Sequence, residues 1–218
     1  VVLAAACRDW PAKLVTVGSR ELLQDRAYKL GLEVYLADYS STDNGGPHTA
    51  GMLSLIDLPL NQPAEPGVLR PENASFVLAQ LQLAVELCQV NEVFAMVTGP
   101  VHKGIINDAG FPFSGHTEFL ARLCNASNPL MLLVGEKLRV ALATTHIPLR
   151  EVPAALTKET LSQRIQTLHF GLKNQFGLTA PKITVLGLNP HAGEDGYLGD
   201  EEQKIIGPVC DYLRMQDI

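Results

Sequence analysis

Residues 93–124, which read VFAMVTGPVHKGIINDAGFPFSGHTEFLARLC, decide the fold that we predict for this chain. The stretch opens with a short, β-branched apolar run at 93–97, which predicts a buried strand. Thr98-Gly99-Pro100 ends that run, because glycine permits unusual backbone angles and proline lacks a donor. Polar and titratable side chains follow on two loops. In an open α/β sheet, ligands bind beyond the carboxyl ends of such strands.

Strand and helix patterns alternate on both sides of this stretch. A strand at 13–17 precedes a helix that Ser19 caps and Gly31 ends, and a second strand follows at 32–36. This β-α-β order predicts an α/β fold with a parallel sheet. The other patterns predict a strand at 52–58, a helix at 71–90, hairpin strands at 130–134 and 138–143, a helix at 157–176, a buried strand at 183–188 and a helix at 200–213. The hairpin makes the predicted sheet mixed but largely parallel.

Composition limits the class of protein. The chain has 218 residues, of which 46% are hydrophobic and 18% charged, and these values indicate a globular protein. A net charge of −6 argues against a nucleic-acid partner, and the apolar runs are too short to span a membrane. We therefore expect a cytoplasmic protein whose four dispersed cysteines are buried free thiols.

Two subdomains are expected, 1–128 and 129–218, because Asn, Ser and Pro cluster near 125–129. The residues between Asp38 and His48 include Asn44-Gly45-Gly46-Pro47 and predict a loop. The chain has no initiator Met and stops just after a helical pattern. We expect it to be part of a longer protein.

Two histidines follow apolar strand patterns. His146 comes after the strand pattern at 138–143, and His191 follows the one at 183–188. If both strands belong to one sheet, the imidazoles would share a crevice, and neutral imidazole is the commonest metal ligand. The alternative is that each ring hydrogen-bonds its own loop. Position alone favours this alternative, because a catalytic zinc site as a rule needs three protein ligands and only two are aligned here.

His116 and Thr117 follow Gly115 where a helical pattern starts. Free backbone N–H groups and the helix dipole at such a start suit a phosphate or carboxylate. On local pattern alone, Thr117 as a simple helix cap with Glu118 near it is the better explanation. His102 and Lys103 follow the Thr98-Gly99-Pro100 turn, where Lys103 could bind an anion or remain solvated.

Other motifs add little. His48 and His169 are expected to be structural or exposed, and no glycine-rich phosphate loop of either common type is present.

Five blocks together resemble a known family. They are Thr98-Gly99-Pro100-Val101-His102-Lys103, Asn107-Asp108-Ala109-Gly110, Gly115-His116-Thr117-Glu118-Phe119, Ala143-Thr144-Thr145-His146-Ile147-Pro148-Leu149 and Gly187-Leu188-Asn189-Pro190-His191-Ala192-Gly193-Glu194. In order and spacing they are similar to the 4-hydroxythreonine-4-phosphate dehydrogenases of pyridoxal phosphate biosynthesis.

The resemblance implies a three-layer α/β/α fold like that of isocitrate and isopropylmalate dehydrogenases. It implies NAD- and metal-dependent oxidation of 4-phosphooxy-L-threonine to a 3-keto acid, which loses CO2 to give 3-amino-2-oxopropyl phosphate. The metal would be one zinc, magnesium or cobalt ion per site. His146 and His191 match two of three metal-ligating histidines, and His116 and Thr117 match the substrate-binding pair. The resemblance also implies a homodimer with its active site at the subunit interface.

Some parts of the family pattern are missing from the 218 residues. The glycine- and proline-rich first strand is expected before Val1, and the third metal histidine, in a Tyr-His-Asp-Gln-Gly type motif, is expected after Ile218. Most NAD contacts are expected there too, so neither cofactor-binding residues nor a general base are assigned.

Three alternatives stay open: a related dehydrogenase of threonate or erythronate 4-phosphate, a non-catalytic binding module, and a metal-dependent hydrolase that uses Glu194 as base.

Overall fold

The computed structural model describes residues 1–42 and 45–218, which form two units, Val1–Asn125 and Ala126–Ile218. Asn44, in the predicted loop between Asp38 and His48, lies outside the described residues. His48, at the end of that loop, is buried, and its Nε2 lies 3.2 Å from the carbonyl oxygen of Ala6. No helix of the described residues is long and apolar enough to cross a membrane.

A parallel sheet forms one core of the first unit. The elements of this unit are α1 (Val2–Ala6), β1 (Val15–Gly18), α2 (Arg20–Leu30), β2 (Tyr35–Asp38), β3 (Met52–Asp57), α3 (Ala74–Gln89), α4 (Lys103–Asp108) and α5 (His116–Leu123). The strand order is β1-β3-β2, and Leu36 pairs with Leu53. Leu36, Leu53 and Leu55 are buried with Ala6 in one hydrophobic cluster. The predicted β-α-β unit is confirmed.

Local capping explains why α2 begins and ends where the sequence predicts. The Ser19 hydroxyl accepts a hydrogen bond from the Leu22 N–H at 3.2 Å. Gly31 follows the helix with φ 63°, a left-handed conformation that glycine adopts without strain. A short 3₁₀ turn, Pro71–Asn73, leads into α3 without a side-chain cap.

A second cluster in the first unit supports the loops that follow residue 100. Ala74 and Leu81 on α3 pack with Ile106 on α4 and with Phe113 in the next loop. Phe113 is therefore fixed three residues before α5 begins.

The second unit is built from a ribbon and helices. It contains β4 (Leu132–Val134), β5 (Arg139–Ala141), α6 (Val152–Ala155), α7 (Lys158–Asn174), the 3₁₀ turn Pro190–Gly196, the π-helical turn Glu202–Ile206 and α8 (Gly207–Arg214). β4 and β5 pair antiparallel, which confirms the predicted hairpin. Its core consists of Leu156, Leu161, Ile165, Ile206, Val209 and Leu213.

Two predicted strands are wrong. Residues 93–97 and 183–188 form no strand in the described chain, and Phe94, Val97 and Leu186 are exposed. Both runs are apolar enough for a buried strand, but neither has a strand partner among the described residues. The parallel and antiparallel pairs also lie in separate sheets, one in each unit. The four cysteines are free, but Cys7 and Cys124 are exposed where burial was expected.

Candidate active site

His116 and Thr117 open α5 in the first unit. Gly115, the N-cap, is extended at φ 162° and ψ 176°. The first-turn N–H groups of a helix have no intrahelical partner and carry its positive dipole end. His116 Nε2 is buried and lacks a hydrogen-bond partner among the described residues. An imidazole nitrogen in this state can bind a polar ligand group.

Phe113 holds the His116 ring from one side. The two rings meet edge to face, with centroids 6.1 Å apart and planes at 80°. Asn107 in turn holds Phe113: its side-chain amide donates to the Phe113 carbonyl at 2.9 Å, and its oxygen accepts from the Phe113 N–H at 3.1 Å. The same amide donates to the Lys103 carbonyl at 2.8 Å. Asn107 therefore fixes the loop that leads to the His-Thr pair.

The Lys103 ammonium lies beside Gly115. A β-carbon added to Gly115 would lie 3.2 Å from Lys103 Nζ and 3.2 Å from Glu118 Oε2. The sequence left open whether Lys103 was a solvated surface residue. The structure brings its charge to the start of α5, where it would complement an anion.

His102 caps α4. Its Nδ1 accepts a hydrogen bond from the Ile105 N–H at 3.1 Å, so this imidazole satisfies one free donor at the helix start.

His146 lies five residues after β5 in the second unit, on an exposed bend. Its φ is 56°, which is unusual for a residue with a side chain. Non-glycine residues in this region cost about 1–3 kcal/mol each and cluster at functional sites.

His191 begins a left-handed turn that runs through five consecutive residues, 191–195. His191, Ala192, Gly193, Glu194 and Asp195 have φ values of 50°, 53°, 83°, 42° and 55°. A β-carbon on Gly193 would lie 2.5 Å from the Gly199 carbonyl oxygen, so only glycine fits there. The sequence predicted a loop here but not its handedness. It also placed His191 after a strand, and the residues before it form none.

Glu202 contacts the beginning of this turn, and sequence reasoning missed it. Its Oε1 accepts the backbone N–H groups of Leu188 and Asn189, both at 2.7 Å. Its Oε2 accepts from Asn189 Nδ2 at 2.9 Å, and Glu201 accepts from the same amide at 2.6 Å. The Asn189 N–H, followed by the Asn189 side chain, holds the pKa of Glu202 below its ordinary value. The one sequence signal was the acidic pair Glu201-Glu202 where the next helical pattern starts.

A complete metal site is not formed by the described residues alone. Across 1–42 and 45–218, no group of three or more His, Cys, Asp or Glu side chains could hold an ion. His146 and His191 are both exposed. As a ligand, imidazole suits zinc better than magnesium. The donor chemistry therefore fits a transition metal, but a further donor is needed.

Residues 10–218 match the family described as pyridoxal phosphate biosynthetic protein PdxA. The chain belongs to the PdxA family. It is 50% identical over 207 residues to the 4-hydroxythreonine-4-phosphate dehydrogenase of Chromobacterium violaceum, covering 95% of this chain and 62% of that protein. It is 48% identical over 216 residues to the protein of the same name from Citrobacter koseri, covering 99% and 66%. The chain thus spans less than two thirds of the length of these PdxA relatives.

Solved structures agree with this membership. A 4-hydroxythreonine-4-phosphate dehydrogenase from Klebsiella pneumoniae matches with a TM-score of 0.85 and 30% identity, over 94% of this chain and 62% of that one. A putative one from Salmonella typhimurium gives 0.83 and 31%, over 94% and 63%. The α/β fold class predicted from the sequence is confirmed. The ligand roles of His116, Thr117, His146 and His191 stay predictions.

Proposed function

We propose that the protein oxidises 4-phosphooxy-L-threonine with NAD, in the synthesis of pyridoxine 5'-phosphate. The observation that carries this proposal is the PdxA match over residues 10–218, together with 48–50% identity to proteins named for this dehydrogenase activity. The 3-keto acid formed would lose CO2 to give 3-amino-2-oxopropyl phosphate. We further propose a cytoplasmic homodimer with its active site at the subunit interface.

The first unit would bind the phosphorylated substrate. His116 Nε2 is buried without a partner among the described residues, and the first-turn N–H groups of α5 lie beside it. Lys103 adds a positive charge at the same helix start. These groups would hold an anionic substrate by charge-assisted hydrogen bonds.

The second unit would hold the metal. His146 and His191 would each present an exposed imidazole from left-handed backbone. When bound, a divalent cation would supply charge stabilisation for the developing alkoxide, and the nicotinamide would accept the hydride. The imidazole donors favour zinc or cobalt over magnesium as the ion.

Substrate choice and metal dependence test this function in the full-length protein. NADH formation should be faster with 4-phosphooxy-L-threonine than with 4-phosphoerythronate or 4-phosphothreonate. Preference for a sugar acid would instead identify a related dehydrogenase.

His146→Ala and His191→Ala should each lower bound metal and the rate of NADH formation. We expect metal affinity to fall by more than about 100-fold. Even substitution of residues that only hydrogen-bond to metal ligands lowers metal affinity or activity by about 10- to 100-fold. His102→Asn is the control, since it removes an exposed imidazole and keeps a helix-capping side chain. Unchanged metal content in both alanine variants would refute the metal role, and no turnover of any of the three substrates would refute the dehydrogenase.

A further inference from the structure

We propose that Glu202 is a positioning residue for His191. Its carboxylate fixes the backbone from which the left-handed turn starts, and the turn then presents the imidazole. This inference rests on the proposed metal role of His191, and it adds a residue to which the sequence pattern assigned no role.

One carboxylate replaces a missing strand partner at the end of the 183–188 run. Oε1 binds two consecutive backbone N–H groups, those of Leu188 and Asn189, both at 2.7 Å. Unpaired backbone donors at partly buried positions cost free energy, and an ionised acceptor makes stronger hydrogen bonds than a neutral one. Glu202 therefore fixes the backbone of the two residues that precede Pro190.

The Asn189 side chain is held by the same group. Oε2 of Glu202 accepts from Asn189 Nδ2 at 2.9 Å. A β-carbon on Gly199 would lie 2.4 Å from that Nδ2, so the space for the amide exists because residue 199 is glycine.

The glycines of the turn fit around the carboxylate. β-carbons on Gly187 and Gly193 would lie 3.3 Å from Glu202 Oε1 and 3.1 Å from Oε2, respectively. Gly187 precedes the two bound N–H groups, and Gly193 is within the left-handed turn. The carboxylate thus binds the backbone before His191 and occupies the space that a side chain at residue 193, after His191, would need.

His191 needs such support because its conformation is costly. A left-handed residue with a side chain costs about 1–3 kcal/mol and persists only when its surroundings impose it. Four such residues occur in this turn. Without Glu202, we expect the turn to relax and the imidazole to leave its binding position.

A simpler role for Glu202 would be stability alone. Glu202 also begins the π-helical turn Glu202–Ile206, which packs beneath α7 through the buried Ile206. If this is its only role, its loss would lower the melting temperature without acting through His191.

A double-mutant cycle in the full-length protein separates the two roles. Zn²⁺ affinity is measured by calorimetry for wild type, Glu202→Gln, His191→Ala and the double variant. We expect Glu202→Gln to weaken Zn²⁺ binding by about 10- to 100-fold, as for other groups that orient metal ligands. In the His191→Ala background, the same change should have little further effect, because the two residues act as one unit.

Two further variants separate the loss of charge from the loss of the contact with the turn. Asp211 is an exposed residue of α8 whose carboxylate pairs with Arg214. Asp211→Asn should leave Zn²⁺ affinity unchanged. Amide hydrogen exchange at Leu188 and Asn189 should be faster in Glu202→Gln than in Asp211→Asn. Glu202→Asp keeps a carboxylate for folding but shortens its reach, and should give a smaller loss of affinity in the same direction.

The outcomes distinguish this inference from the proposed function. Unchanged Zn²⁺ affinity in His191→Ala would remove the metal role itself, and the positioning role with it. Loss in His191→Ala with wild-type affinity in Glu202→Gln would overturn the positioning role alone. The positioning role would also be overturned if Glu202→Gln weakened Zn²⁺ binding by the same factor in wild type and in His191→Ala. Glu202 would then act independently of His191.

Discussion

Asn107 is the residue on which the geometry of the proposed substrate end depends. Its side chain makes three hydrogen bonds, to the Lys103 carbonyl and to both backbone groups of Phe113. Asn107→Ala would leave partly buried groups of Phe113 unpaired, so the free energy of unfolding should fall by about 1–3 kcal/mol. Urea unfolding of the full-length protein measures this change.

Asn128→Ala is the matched control for this prediction. Its amide contacts the Ser127 hydroxyl at 3.4 Å in an exposed loop, and its loss should change stability by less than about 0.5 kcal/mol. Equal effects of the two substitutions would show that Asn107 does not hold the loop.

At this scale, the sequence identified residue types better than their conformations. The histidines stand out because imidazole is chemically distinctive, and Gly193 marks a turn. The left-handed backbone of Ala192 and Glu194 has no local signal, since neither residue type favours it. Glu202 contacts Leu188 across 14 positions of the chain, and such a contact follows from the fold and not from spacing.

Among the elements, α7 carries a charge, that of Glu159, whose contribution to stability should depend on pH. Thr157 caps it by accepting from the Thr160 N–H at 3.2 Å. The backbone N–H of Glu159, followed by the Thr157 side chain, holds the pKa of the Glu159 carboxyl below its ordinary value. Because the folded pKa is lowered, ionised Glu159 stabilises the fold above the unfolded-state pKa of about 4.3. That contribution is lost as the pH falls through the folded pKa.

Glu159→Gln should therefore melt at a lower temperature than wild type at pH 7. The difference should shrink as the pH falls below about 4.3 and vanish below the folded pKa. Melting curves across this range check the prediction. Glu136→Gln, in the exposed turn between β4 and β5, controls for the same loss of charge. A difference that stayed constant with pH would contradict the assignment.

Elements set by local chemistry were predictable. Ser19, Gly31 and Thr157 end or begin helices where their side chains or backbone angles satisfy nearby groups. The runs at 93–97 and 183–188 have strand composition, but a strand also needs a partner, and partners come from distant parts of a chain. Composition alone therefore predicted two strands that the described residues do not form.

For the molecule as a whole, the first unit presents an apolar segment around Phe94 and Val97 to solvent. Phe94 and Val97 in the first unit are almost fully exposed. Clustered apolar surface of this kind binds hydrophobic probes, whereas isolated apolar residues do not. The 218-residue polypeptide should therefore enhance the fluorescence of an anilinonaphthalene sulfonate dye, and Phe94→Ser with Val97→Ser should reduce that signal.

Tyr28→Ser provides the comparison. Tyr28 is also largely exposed but lies on α2, among the charged residues of that helix. The dye signal should remain at the wild-type level in this variant. If the Phe94 and Val97 substitutions also leave the signal unchanged, the segment is covered in solution.

Family membership was the most predictable property of the whole molecule. Five motif blocks between Thr98 and Glu194 indicated it, because chemistry-bearing residues at fixed spacing are specific even where secondary structure is not. The match over residues 10–218 confirms it.

Pro190 also protects the Asn189 side-chain amide from spontaneous deamidation. Spontaneous deamidation starts when the backbone nitrogen of the next residue attacks the side-chain amide. The proline nitrogen has no hydrogen to lose, so the cyclic imide cannot close at Asn189. The amide between Glu201 and Glu202 is thereby protected from turning into a third carboxylate, which would repel both.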